Sequence, residues 1–394
     1  MASNFSLSQM MTGFMAVMIG FSSTVVIVLQ AATAAGASSA ELNSWIFGLC
    51  MGVSLVGIGL SLYYRMPILT AWSTPGAAFL IASLPGIPLN QTIGAFIFSA
   101  LLTVIAGLSG SIAKIMSYIP TSIASAMLAG ILLNFGLNLF MAVQGQAFLV
   151  LGMIFIYLLS KQFFPRIAIL IVMTAGMLIA ASEGLINTSA LHLQIASPIL
   201  IKPEFSWAVL ASIGFPLAIV TMTSQNLPGF SVLRAAGYQP PISSIISWLG
   251  IANLLVAPFG GFSVNLAALT ATMCTNEEAH PDPSLRYYST LWAGFFYLLI
   301  ALCGATLLTL LTAFPKELMA ALAGLALLGT LGSNLKAAVE EDRHREAALI
   351  TFLVAASGMN LLGINSAFWS LLAGLLASMV PNLFAKLLNK AHHY

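Results

Sequence analysis

From residue 10 onward, stretches of about 20 apolar residues follow one another with only short Gly, Pro, Ser or charged punctuation between them. That length carries a helix through the roughly 30 Å hydrocarbon core of a bilayer. Hydrocarbon offers no water to exposed peptide groups, so each such window must bond its own backbone. The windows fall at 10–33, 40–63, 66–83, 91–110, 119–140, 146–161, 166–182, 206–228, 240–257, 261–276, 287–312, 317–335, 345–360 and 366–388, and they predict an all-α polytopic membrane protein with 14 transmembrane segments. Only 6% of residues are charged, against about 25% in soluble domains, so almost no chain is left for a soluble domain. The opening MASNFSLSQM has neither a basic n-region nor a small-residue cleavage site. The first window is therefore expected to stay as a span rather than be removed as a signal peptide.

Catalytic and metal chemistry find little to work with. Cys50, Cys274 and Cys303 lie far apart inside apolar windows without metal-ligand spacing, and they read as small core residues. His192, His280, His344, His392 and His393 fall in connections or at the tail, which disfavours a histidine proton relay. The acids all sit at or near span ends, with Glu277 and Glu278 at the inner end of the tenth window the nearest to membrane depth; they read as a solvated helix end. No nucleophile, base or metal group is available in mid-span, so neither an enzyme, a cofactor nor a metal site is expected. A net charge of +2 gives no expectation of a nucleic-acid partner either.

Basic residues accumulate on the cytoplasmic side of membrane proteins. With the N-terminus inside, alternate connections collect Arg65, Lys114, Lys161, Arg166, Arg234, Arg286, Lys336, Arg343, Arg345, Lys386 and Lys390 on that side and leave only Lys202 and Lys316 outside. Both termini are expected to be cytoplasmic.

The longest polar connection, 184–205, separates residues 1–183 from residues 206–394, and each half holds seven windows. Seven is odd, so the second half enters the membrane inverted. Weak internal similarity agrees: GFSSTVVIVLQAATAAG opens the first half and GFPLAIVTMTSQNLPGFSVLRAAG the second, followed by Ser44-Trp45 and Ser247-Trp248. Inverted repeats are a signature of secondary transporters.

In the third window of each half the helical pattern fails. RMPILTAWSTPGAAFLIAS contains Pro75, which lacks an N–H and pushes its predecessor toward extended geometry. Residues 67–74 are expected to be extended, with a helix from about Pro75. APFGGFSVNLAALTATMCT contains Gly260 and Gly261, and Ser263 or Asn265 is a natural N-cap for a helix running to about Thr275. Segments 3 and 10 are thus each expected to be a short extended strand plus a half-helix, roughly 13 to 16 Å long. Their N-termini would face each other at the bilayer centre. Helix N-termini attract anions without any basic side chain, and no Lys or Arg falls near mid-span. The eighth window adds TMTSQN, Thr221 to Asn226, whose mate in the first is GFSST, Gly20 to Thr24. Trp72, Phe79 and Phe262 flank the helix starts and offer faces to a flat ligand.

STPGAAFL (73–80), TSQNLPGFSVLRAAGY (223–238) and GGFSVNLAALTA (260–271) resemble the bacterial benzoate/proton symporters of the BenE type, within the nucleobase and sulfate permease (UraA-like) architecture. The resemblance covers nearly the whole chain. It implies a bacterial inner-membrane protein with seven-plus-seven inverted repeats, a core domain of segments 1–4 and 8–11, and a gate domain of segments 5–7 and 12–14. It also implies an elevator-like shift of core against gate. Carried over position by position, it implies a substrate site drawing on Ser22, Ser23, Ser73, Thr74, Gly76, Ser224, Gln225, Asn226, Ser263 and Asn265. Nucleobase members place acids in the eighth and tenth segments, where this chain has Ser224 or Gln225 in the eighth. That departure favours an anionic ligand.

The expected function is a secondary carrier for a small aromatic carboxylate, benzoate first, with proton symport implied by the resemblance. Such an acid is ionised at neutral pH. A second class stays open, an anion channel or a carrier for another organic anion or nucleobase on the same fold. AALAGLALLG (320–329) permits helix association and hence a homodimer.

Overall fold

The computed structural model describes residues 6–110, 120–165, 167–186, 196–268 and 270–391, with side chains described outside 305–312 and 380–391. The expectations on Lys114, Arg166, His192, His392 and His393 lie outside the described residues. The first half contains α1 (Leu7–Ala34), α2 (Ser39–Tyr64), β1 (Thr70–Trp72), α3 (Thr74–Ser83), α4 (Leu89–Ser109), α5 (Thr121–Met141), α6 (Ala147–Phe163) and α7 (Ala168–Ser182). The second contains α8 (Trp207–Ala235), α9 (Ile242–Val256), β2 (Val264–Leu266), α10 (Ala271–Thr275), α11 (Tyr287–Thr312), α12 (Lys316–Val339), α13 (Arg345–Ala356) and α14 (Ser366–Ala391). Among the described residues eight helical runs are long and apolar enough to cross a membrane, and shorter apolar helices include α3, α6, α7 and residues 366–379 of α14.

Local chemistry sets the ends of these helices. Ser6 and Ser38 each accept from the backbone N–H three residues on, while Gln9 and Glu41 reach back to the cap N–H, a reciprocal pairing that satisfies two otherwise orphaned donors. α8 runs to Ala235, seven residues past its expected end at 228, and contains two π-helical turns, Leu210–Gly214 and Met222–Asn226. Each lies just before a proline, Pro216 and Pro228. A proline ring clashes with the carbonyl four residues back and offers no N–H, and the wider turn carries the helix past it.

Segment 3 follows expectation: β1 is extended, Ser73 caps, and α3 begins at Thr74 with Pro75 second. Segment 10 needs correction. Ser263 and Asn265 do not cap a helix; Val264–Leu266 is a strand, and the described helix covers only Ala271–Thr275. The reason is a tertiary partner. β2 pairs antiparallel with β1, Thr70 opposite Leu266, Ala71 opposite Asn265 and Trp72 opposite Val264. The ladder supplies bonds a helix would otherwise have to make internally.

A sheet edge buried in a membrane protein needs covering. Here side-chain amides cover it. Asn253 on α9 donates through Nδ2 to the Val264 carbonyl at 3.0 Å and accepts the Val264 N–H at Oδ1, while Asn226 Oδ1 accepts the Leu266 N–H at 3.1 Å. Gly260, at φ +93°, turns the chain where any Cβ would run into the Trp45 indole.

Helix packing falls into two groups. α11 lies on α2 and α1, α9 on α4 and α2, and α8 on α4; α12 and α13 lie on α5, α14 on α13, and α6 on α7. The groups meet where α1 touches α12 and α7, and where α3 touches α5. Cys50 and Cys274 are buried, as expected, whereas Cys303 is exposed. Trp45 is fully buried and Trp248 half exposed, so the two Ser-Trp pairs sit in different environments. Lipid-facing and core-facing surfaces are equally apolar, and hydropathy does not separate them.

Candidate functional site

The start of α3 is built from both halves of the chain. Ser73, fully buried, accepts the Gly76 N–H at 2.9 Å through its hydroxyl. With the Asn265 amide oriented so that both ends are satisfied, its oxygen accepts the Ser73 backbone N–H at 3.1 Å and its nitrogen donates to Ser263 Oγ at 2.9 Å. Ser263 in turn lies 3.2 Å from the Thr221 hydroxyl of α8. Asn265 therefore caps the neighbouring half-helix across the sheet, not a helix of its own.

This accounting decides which donors remain. At the first turn of α3 the Ser73 and Gly76 N–H groups are taken, and Pro75 has none. The Thr74 N–H and hydroxyl have no hydrogen-bond partner among the described residues, and Thr74 is only half-buried. A positively polarised helix end with a free N–H beside a free hydroxyl is an anion-binding arrangement.

Other expected residues take structural or lining positions. Ser22 and Ser23 donate to the Met18 and Ile19 carbonyls at 2.5 and 2.6 Å, and Ser224 donates to Val220 at 2.5 Å; these are back-bonds within their own helices. Asn226 is 1% exposed and committed to β2. Gly76 is a packing position, since a Cβ there would lie 2.9 Å from Ser73 Oγ and 3.1 Å from Leu217 Cδ1. Gln225, half-buried on the second π turn, has an amide with no partner among the described residues. π turns recur at functional positions because they redirect a side chain out of the helical register.

Of the three aromatic residues, Trp72 lines the site most directly. Its ring sits edge-on to Phe21 (5.6 Å between centroids) and Tyr297 (5.9 Å), and its Nε1 donates to Thr24 at 2.7 Å. Phe262 packs against Trp45 and Phe96, and Phe79 is fully enclosed.

Sequence reasoning missed Tyr297, Thr270 and Asn253. Tyr297 is 3% exposed, yet its hydroxyl has no partner among the described residues. It lies 3.3 Å from where a Cβ on Gly20 would stand, and the Thr270 methyl is 3.8 Å from that same point. A hydroxyl without a partner on an otherwise buried ring calls for an explanation. Polar residues deep in an apolar run, Asn253 in SWLGIANLLVAP above all, were the available signal. After α10, Arg286 is 8% exposed and donates to the Thr275, His280 and Pro281 carbonyls, so this cation is a clamp on the 276–286 connection. Beside it the exposed Asp282 carboxyl is held below its usual range, first by the Ser284 hydroxyl and then by the Ser284 N–H. Glu277 and Glu278 are exposed.

Residues 3–380 match the family model described as Benzoate membrane transport protein. The chain is 45% identical over 378 residues to the Inner membrane protein YdcO of Escherichia coli, covering 95% of this chain and 96% of that one. It is 40% identical over 377 residues to the Benzoate membrane transport protein of Acinetobacter baylyi, covering 96% of each. Among solved structures it is similar to the transmembrane domain of a cyanobacterium bicarbonate transporter, BicA, at TM-score 0.61 and 14% identity, covering 95% of this chain and 97% of that one. It is also similar to the murine Slc26a9 anion transporter in its inward-facing state, at TM-score 0.64 and 14% identity, over 98% of this chain and 69% of that one. These structural likenesses establish the fold.

Proposed function

The chain belongs to the benzoate membrane transport protein family, and from that membership and the start of α3 we propose that it is a secondary carrier importing benzoate or a similar small aromatic carboxylate across the bacterial inner membrane. It is a transport protein rather than an enzyme. The observation that carries the substrate reading is a set of donors without partners among the described residues: the Thr74 N–H and hydroxyl at the N-terminus of α3, the Gln225 amide, and the Tyr297 hydroxyl. A carboxylate only accepts hydrogen bonds, and neutral donors hold it without a cationic side chain. Trp72 and Phe21 offer the ring an aromatic wall. α10 adds less than the sequence suggests, because its described helix is a single short turn and a half.

Fourteen segments in two inverted repeats, 1–183 and 206–394, remain our reading of the topology, with both termini cytoplasmic. The two packing groups support a core of segments 1–4 and 8–11 moving against a gate of segments 5–7 and 12–14. Importing one negative charge against an inside-negative potential costs about 2.3 kcal/mol per 100 mV. One accompanying proton removes that cost, which supports symport.

Reconstitution separates carrier from channel. Purified protein in proteoliposomes should accumulate labelled benzoate above the bath concentration when an inward proton gradient is imposed. Uptake that stops at equilibrium under the same gradient would replace the carrier reading with the channel one.

A further inference from the structure

A cavity of about 750 Å³ opens between α1, α3, α5 and α12, at the meeting of the two packing groups. Its wall includes Ile81 and Ala82 at the far end of α3 from Thr74. The seven or eight residue steps of α3 from Thr74 to these positions, at 1.5 Å each, place it about 11–12 Å from the site described above. Into it project Gln30 of α1, Asn134 and Asn138 of α5, and Lys316 of α12. None of these side chains has a hydrogen-bond or ion-pair partner among the described residues. Asn134 and Asn138, one turn apart, share a face of α5, and the Phe135 ring lies beside them in the same wall. One acid, Glu317, lines the same cavity, its Oε1 2.7 Å from where a Cβ on Gly145 would stand.

We propose that this cavity is a second, outer binding site for a small aromatic carboxylate, in series with the site at the start of α3: Lys316 and the α5 amides take the carboxylate and Phe135 faces the ring. Its volume is within the roughly 300–1,000 Å³ of small-molecule sites. Lys316 is one of only two basic residues that the charge partition leaves on the extracytoplasmic side. Lys316 is exposed at the cavity and makes no ion pair with Glu317 among the described residues, so its charge is available to attract an incoming anion and speed its capture. The amides add donors without adding charge, so the ligand is held loosely enough to move on along α3.

Two measurements test this. In proteoliposomes, Lys316→Gln should raise the KM for benzoate about fivefold, leave kcat unchanged and remove the salt dependence of KM that screening imposes on the wild type, while Lys316→Arg keeps wild-type behaviour. In a Cys303→Ala background, an Asn138→Cys variant should be labelled by a membrane-impermeant maleimide more slowly when benzoate is present. Adding Lys316→Gln should abolish that protection. Wild-type KM and salt dependence in Lys316→Gln, with labelling indifferent to benzoate, would show a cavity that holds water only and would overturn the proposal. The labelling assay needs no transport, so a protein that fails to accumulate benzoate removes the carrier reading without deciding this one.

Discussion

Asn253 and Val264 are joined through both ends of one amide, Nδ2 donating to the Val264 carbonyl at 3.0 Å and Oδ1 accepting the Val264 N–H. A side chain from α9 here does the work of a third strand. Because lipid and packed helices offer no replacement partner, Asn253→Leu should strand the buried Val264 N–H at about 1–3 kcal/mol, while the Asn265 amide still reaches the Val264 carbonyl at 3.1 Å. Thermal unfolding in detergent is expected to show a loss of roughly 1–3 kcal/mol; a melting temperature equal to wild type would mean that β2 does not need the amide.

Tyr297 offers a cleaner separation of binding from stability. Tyr297→Phe removes a hydroxyl that has no protein partner among the described residues and keeps the ring against Trp72. Benzoate affinity by calorimetry should fall about tenfold, the value of one hydrogen bond to a charged group, with the melting temperature unchanged. Unaltered affinity would take Tyr297 out of the site.

Gln225, Asn265 and His280 should behave in three different ways. Gln225→Ala is expected to weaken benzoate binding about fivefold to tenfold with little effect on folding, since its amide is unpartnered among the described residues. Asn265→Ala should lower both affinity and stability, because it uncaps Ser73 and breaks the link to Ser263. His280→Ala should leave affinity unchanged, its ring bonding only within the 280–282 turn. Equal affinities in all three proteins would withdraw the site assignment.

Gly260→Ala puts a Cβ at a left-handed position already occupied by the Trp45 ring. Backbone strain and overpacking together should cost about 3 kcal/mol or more, seen as lower yield of folded protein and a lower melting temperature. A neutral substitution would mean that the 257–262 turn rearranges freely.

The parts legible in the sequence were those fixed by neighbours along the chain. The run of apolar windows specifies the membrane environment, because only self-bonded backbone survives in hydrocarbon. Pro75 sets the start of α3 to within one residue, since its ring acts on the adjacent peptide. Tertiary structure alone decided the rest. Ser263 and Asn265 have the local chemistry of caps, yet β1 lay opposite and offered a ladder, so Asn265 entered a strand and caps α3 from there, with Ser263 bonded to its amide. Cys303 faces outward although it reads as core, because an apolar residue is satisfied equally by lipid or protein. Likewise Tyr297 meets Trp72 only through packing between helices, and no spacing along the chain records which helix face meets which.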